Sequence, residues 1–197
     1  MKESSESGGD ELVWRCLGSQ EGPDLKLFRA RFDDMEHPLS AEVMQRLVLS
    51  SVDWVNMVAL TGEGELVMVR QYRFGVGYAT LETPGGMVDP GEDSLSAARR
   101  ELAEETGYTG GDWSYLGAVE PNPAFHDNLC HHWLARNVTC TQPQQPGSGE
   151  MIRVELFSPQ AVREAVVAGT IKHALALSVL SRVIDLWPLP FAHSRPD

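Results

Sequence analysis

Gly86-Met-Val-Asp-Pro-Gly-Glu92-Asp-Ser-Leu-Ser-Ala-Ala-Arg99-Arg100-Glu101-Leu102-Ala-Glu104-Glu105-Thr-Gly107-Tyr108 is a glycine-rich turn running into a helix that carries three carboxylates and an arginine. Asp93 or Ser94 opens the helix as a cap, and Gly107 closes it, since glycine takes the left-handed conformation that follows a helix C-terminus. Glu101, Glu104 and Glu105 stand at i, i+3 and i+4, so their side chains share one helix face. Three anions this close repel. Either the face is solvated, or a divalent cation sits among the carboxylates, because hard ions such as Mg²⁺ take carboxylate oxygens, carbonyls and water.

The full pattern resembles the Nudix box, G-x5-E-x7-R-E-U-x-E-E-x-G-U with U a bulky apolar residue. Gly86, Glu92, Arg100, Glu101, Leu102, Glu104, Glu105, Gly107 and Tyr108 fill every defined place, and Tyr108 alone is unusual, the last place being more often aliphatic. At average residue usage such a match arises by chance in a chain of this length with a probability on the order of one in ten million. The resemblance implies an α/β fold, an α/β/α sandwich of mixed β-sheet with flanking helices, and cleavage of a nucleoside diphosphate linked to a further group.

Composition bounds the rest. The chain has 197 residues, 42% of them apolar, enough for one cored domain with a small N-terminal extension. A formal net charge of −12 argues against a nucleic acid polymer as partner, which Lys and Arg clusters would have to hold. A small phosphate ester stays compatible, because bound metal ions reverse the local sign of the field. No apolar stretch is long enough to span a bilayer, and the acidic, Ser-rich start lacks the basic and apolar regions of a signal peptide, so no membrane partner and a cytoplasmic location are expected. Three irregularly spaced cysteines, Cys16, Cys130 and Cys140, suit a reducing compartment. Cys130, His131 and His132 read as ordinary strand residues, since neighbours in a strand point to opposite faces and no second ligand pair follows.

Along the chain, residues 12–17 and 25–32 read as a hairpin turning at Gly18, Gly22 and Pro23, and residues 55–61 and 66–72 as a stronger one. A loop over 84–92 precedes the box helix. Strands are expected over 113–120 and 129–138, then a mobile polar loop over 141–150, a strand over 152–157, a helix capped by Ser158 with Pro159 at its first position, and a last helix from Thr170 to about Leu186. The domains expected are an N-terminal β extension over 1–50, frayed at its start and dimerising, a Nudix domain over 51–190, and a flexible tail over 191–197.

By position in the box, the resemblance makes Glu101 and Glu105 the main metal ligands, with Glu104 a ligand or base and the main-chain carbonyl of Gly85 completing the shell around Mg²⁺, or Mn²⁺ in its place. Arg100 would hold the glutamates in register, and Glu92 and Gly86 would support the turn. Outside the box, Arg70-Gln71-Tyr72-Arg73 and Glu82-Thr83-Pro84-Gly85-Gly86 are similar to stretches of the ADP-ribose and nucleotide-sugar pyrophosphatase branch, with Gly85 in place of the usual alanine; Pro123, fifteen residues past the box, is a further marker. Gln71 and Arg73 fall in its substrate-binding segment, and the Arg73 guanidinium suits phosphate oxygens, the alternative being a surface ion pair. Glu82 orients substrate or pairs with Arg73. Glu150 matches a loop glutamate of the branch that binds metal or acts as general base. Phe28, Phe32 and Trp54 are the rings available to stack on a base, in some relatives across a domain-swapped homodimer, unless they are core. The stretch from Asn122 to Asn128 departs from the Ser-Pro-Gly loop of ADP-ribose enzymes, which leaves the sugar open: ADP-ribose or a related nucleoside diphosphate sugar, with GDP-mannose or another nucleoside diphosphate as alternative. A sensor that binds ADP-ribose without cleaving it is the non-enzymatic alternative.

Overall fold

The structure, a computed structural model, describes residues 12–147 and 149–186. The frayed start expected over 1–11 and the tail expected over 191–197 lie outside these residues. The chain forms two compact units, Met1–Ser51 with Glu120–Asn128, and Val52–Val119 with Leu129–Asp197.

The first unit holds a three-stranded antiparallel sheet in the order β1 (Arg15–Asp24), β2 (Arg29–Glu36), β3 (Val43–Ser50). This corrects the expected hairpin in two respects. Gly18, Gly22 and Pro23 lie inside β1, whose register breaks between Cys16 and Gly18 and between Glu21 and Asp24. A Cβ on Gly22 would come 2.9 Å from Ala30 Cβ and 3.0 Å from the Phe32 ring, so glycine is there for close strand approach. The turn falls later, where Lys26 takes φ 71° and donates its N–H to Asp24 Oδ1 at 2.8 Å. The third strand, β3, was not foreseen. Residues 120–128 join this unit through Leu49 N–H to Phe125 O at 2.7 Å, Ser50 Oγ to Asp127 Oδ2 at 2.6 Å, and the Phe28 ring stacked on His126.

In the second unit eight strands form one mixed sheet. Its spine runs β11 (Ile152–Phe157), β5 (Leu66–Arg73), β4 (Trp54–Thr61), β10 (Cys130–Cys140), β8 (Tyr108–Thr109), with β6 (Tyr78–Glu82) on β5, β7 (Gly85–Met87) on β4 and β9 (Asp112–Val119) on β10. β10 runs parallel to β4, Met57 opposite Trp133; β4 is buried along most of its length and reads as a largely apolar run, whereas β10 is buried mainly in its first half. β4 and β5 pair at Leu60 and Leu66 beside their turn. Farther along, β7 lies on β4 with Gly85 opposite Asn56, and β6 lies on β5 with Glu82 opposite Val69. Residues 78–82, and 85–87 of the expected loop, are therefore strand.

One face of this sheet packs Val55, Met57, Ala59 and Val67 against Ala97, Ala98 and Leu102 of α1 (Ser94–Thr106). The other packs Val58, Leu66, Met68, Leu81 and Leu134 against Val162 and Val166 of α2 (Pro159–Val167) and Val179 and Leu180 of α3 (Ala174–Ser181). This is the α/β/α sandwich expected. Asp93 caps α1 by accepting from Leu95 and Ser96 N–H, and Gly107 ends it at φ 77°. A Cβ there would lie 2.2 Å from Gln142 O, so glycine serves both conformation and close packing. α3 is shorter than the helix expected over 170–186, because the chain turns at Gly169, φ 67°, and the cap is His173. Among the described residues no helix is long and apolar enough to cross a membrane.

Candidate active site

The packing of α1 on the sheet through Ala97, Ala98 and Leu102 brings Glu101 and Glu105 to Gly85 and Gly86 of β7. A Cβ on Gly86 would sit 2.2 Å from Glu101 Cδ and Oε1, so this glycine leaves the space the carboxylate occupies. Glu105 Oε2 accepts the Gly85 N–H at 3.1 Å and Oε1 accepts from Gln71 Nε2 at 3.4 Å. A Cβ on Gly85 would fall 2.4 Å from Val55 O, a backbone atom, so β7 lies closer to β4 here than an alanine permits.

Burial sets the electrostatics. Glu105 is 5% exposed, and burial pushes its carboxyl up to about 8, Glu101 and Glu150 adding to the rise while the Gly85 N–H and Arg73 oppose it. Burial also raises Glu101, against the pull of Arg100. Arg100 is the hub: Nη2 reaches Glu92 Oε2 at 2.9 Å and Met87 O at 2.9 Å, and Nη1 reaches Glu101 Oε1 at 2.8 Å and Glu104 Oε2 at 3.3 Å. Its hydrogen bonds hold the Glu92 carboxyl below the usual range, and Glu92 also accepts the Asp89 N–H across the turn at 3.2 Å.

A second cluster lies on β5 and β6. Glu82, 1% exposed, accepts Arg73 Nε on Oε1 at 2.9 Å and Arg73 Nη2 on Oε2 at 2.7 Å, with Thr80 Oγ1 also donating to Oε1. Burial alone would raise the Glu82 carboxyl; Arg73, His173 and Thr80 outweigh it and hold it below the ordinary value. Arg73 pairs with Glu82 and is itself raised, chiefly by that hydrogen bond, with Glu105 and Glu150 contributing. The ion pair is thus buried at Glu82 and partly exposed at Arg73, whose Nη1 is left for another acceptor.

Glu150 accepts the Gly147 N–H at 2.9 Å, and its charge acts on Arg73, Glu101 and Glu105. The segment before it is tied to the end of α1: Gln145 N–H donates to Glu104 O at 2.8 Å, and Gln144 Nε2 to Glu105 O at 2.5 Å and Ile152 O at 3.2 Å. Gln144, Thr80 and His173 carry no sequence signal of their own; pairing across the fold assigns them.

Among the described residues no three His, Cys, Asp or Glu side chains are gathered in metal-ligand geometry. Glu101 and Glu104 turn to Arg100, and Glu105 to the Gly85 N–H. The donor set nevertheless fits a hard divalent ion: two largely buried carboxylates, both driven toward the protonated form by burial, face the two glycines of β7, and a cation relieves that cost. His131 instead bonds Tyr115 and Asp53, at 2.9 and 3.1 Å, and His132 is fully buried.

Of the aromatic candidates, Phe28 belongs to the first unit, and Trp54 stands opposite Met87 of β7. Phe28 stacks on His126 within the first unit, at a centroid distance of 5.0 Å, and Pro123 sits in an exposed turn of that unit closed by His126 N–H to Asn122 O. Trp54 is half-buried at the start of β4, its N–H bonded to Leu129 O.

Comparison with known proteins agrees with this architecture. The NUDIX domain family model matches residues 52–176. The chain is 32% identical over 114 residues to the methanol dehydrogenase activator of Bacillus methanolicus, covering 58% of this chain and 61% of that one. It is 31% identical over 113 residues to the ADP-ribose pyrophosphatase of Bacillus subtilis (strain 168), covering 57% and 60%. The aligned part thus spans about three fifths of the length of these relatives. A crystal structure of an ADP compounds hydrolase superposes with a TM-score of 0.75 at 21% identity, covering 86% of this chain and 91% of that one, which shows the shared fold. With the family model matching well over half of the chain, this protein belongs to the Nudix family.

Proposed function

We propose that this protein is a pyrophosphatase that hydrolyses the diphosphate of ADP-ribose or a related nucleoside diphosphate sugar, releasing a nucleoside monophosphate and a sugar phosphate, with Mg²⁺ as its metal. The observation that carries the reading is the pair of largely buried carboxylates, Glu101 and Glu105, set against the two glycines of β7, with the charge of Arg73 acting on Glu105.

When bound, the divalent metal would neutralise the diphosphate and activate water. Glu101, Glu105 and the Gly85 carbonyl are the groups that would hold it, with Glu104 at the exposed end of the same face. Arg100 draws Glu92, Glu101 and Glu104 together and ties them to β7 through Met87 O, so it sets the carboxylate positions. Arg73, anchored on two atoms by Glu82, turns its remaining N–H groups to a phosphate oxygen. Glu150, on a segment tied to α1, would take the proton of the attacking water or add a ligand. Gln71 steadies Glu105. The named activities of the relatives support the ADP-ribose choice.

The three-stranded sheet leaves Leu17, Val43 and Leu47 exposed, and we assign it to a homodimer contact, with the stacking ring for the base drawn from Phe28 or Trp54.

Initial rates with Mg²⁺ on ADP-ribose, GDP-mannose, UDP-glucose, NADH and nucleoside triphosphates, with products identified, test the proposal. Fast cleavage of a nucleoside diphosphate sugar at the diphosphate is expected. Metal-dependent binding without cleavage of any of them would refute it in favour of a sensor.

A further inference from the structure

α3 starts late because His173 caps it, Nδ1 accepting the Ala176 N–H at 3.3 Å. Ser, Thr, Asp and Asn are the usual residues at this position, and each would satisfy that donor. Histidine brings a second nitrogen. An Nδ1 that accepts leaves the ring proton of a neutral imidazole on Nε2, and Nε2 stands 3.6 Å from Glu82 Oε2. That separation is long for a hydrogen bond and short enough for strong attraction between the N–H dipole and a carboxylate that is almost wholly removed from water. Burial holds the imidazole below its ordinary value, with Arg73 adding to the effect and Glu82 opposing it, so the ring is neutral near pH 7. Glu82 in turn grips Nε and Nη2 of Arg73. A helix cap on α3 and an arginine on β5, one hundred residues apart in sequence, thus share one carboxylate.

We propose that His173 is a positioning residue for substrate binding: its Nε2–H steadies Glu82, and Glu82 fixes the direction in which Arg73 presents its remaining N–H groups to a diphosphate. The inference rests on Arg73 being the phosphate contact proposed above. It gives a reason for histidine at a position where a shorter polar residue would cap equally well.

His173→Asn separates the two roles, since the asparagine oxygen can still cap α3 but nothing replaces Nε2–H. In the full-length protein, ¹⁵N NMR is expected to show His173 as the neutral Nε2–H tautomer, its signal moving in Glu82→Gln. In His173→Asn the Arg73 Nε–H resonance is expected to shift at nearly unchanged Tm. With the diphosphate sugar turned over fastest, KM should rise about five- to tenfold while kcat changes less than about threefold. In a Glu82→Gln background the same substitution should add nothing. An Nδ1–H tautomer, an unmoved Arg73 signal, or a KM effect that persists in Glu82→Gln would overturn the proposal. Should His173→Asn not fold, the wild-type tautomer and its response to Glu82→Gln decide. A wild-type protein without turnover would refute the hydrolase reading alone, and the Arg73 signal would still decide the positioning.

Discussion

Gly86→Ala separates the position of Glu101 from its presence. The added Cβ would lie 2.2 Å from Cδ and Oε1 of Glu101 and 2.5 Å from Oε2, whereas non-bonded heavy atoms settle at about 3.5 Å. The carboxylate must therefore retreat by on the order of 1 Å. It can do so, being the far end of a flexible side chain, without moving the sheet or α1. Metal–oxygen distances tolerate about 0.2 Å, and a misplacement of about 1 Å at a reacting centre costs on the order of a hundredfold. We expect kcat/KM on the preferred nucleoside diphosphate sugar to fall about a hundredfold, partly recovered at high Mg²⁺, while Tm shifts by no more than about 3 °C. The assay is initial rate against Mg²⁺ concentration, paired with thermal unfolding of the same preparation. Activity within threefold of wild type would refute the requirement for Glu101 in its present place. A lost activity accompanied by a Tm drop of ten degrees would equally refute the reasoning, since the strain would then have passed into the backbone.

Four further outcomes are expected. Gly85→Ala, whose Cβ meets the Val55 backbone oxygen at 2.4 Å, should lower Tm more than Gly86→Ala does, measured by calorimetry. Glu105→Gln should cut the hydrolysis rate roughly a hundredfold or more with its circular dichroism spectrum intact, because charge stabilisation of the transition state is lost. Burial raises the folded-state value of Glu105 to about 8 from an unfolded 4.5, so its stabilising contribution is whole below pH 4.5 and lost as pH rises through 8. The Tm of metal-free protein should accordingly fall between pH 5 and 8, Mg²⁺ should restore it, and Glu105→Gln should flatten the slope. Arg73→Ala should raise KM about tenfold and also lower Tm, because it strands the buried Glu82 carboxylate; Arg73→Lys, keeping the charge without the fork, should raise KM with a smaller Tm loss.

Local chemistry made one part of this protein legible from residue order. The i, i+3, i+4 spacing of Glu101, Glu104 and Glu105, the Asp93 cap and the Gly107 stop are properties of a single helix, and a helix satisfies its own backbone, so its face can be read before its surroundings are known. The largely apolar run of β4 likewise announced a strand, and Ser158-Pro159 announced α2. Strands depend on partners that can lie far away in the chain, so residue order alone defines them less well. β3 lacks clean alternation and exists through its pairing with β2. Gly22 and Pro23 look like a turn until the close approach of Ala30 and Phe32 explains them as strand. Residues 120–128 join the N-terminal sheet through bonds to Leu49 and Ser50.

The carboxylates proposed to hold a metal were thus legible in the sequence, through spacing on one helix. What each carboxylate meets was decided by tertiary structure: Gly85 N–H and Gln71 on Glu105, Arg100 on Glu101, and Arg73 with His173 on Glu82. Helical geometry relates residues three and four apart, whereas only the packed sheet brings residues 73, 82 and 173 to one carboxylate, where burial makes their charges count.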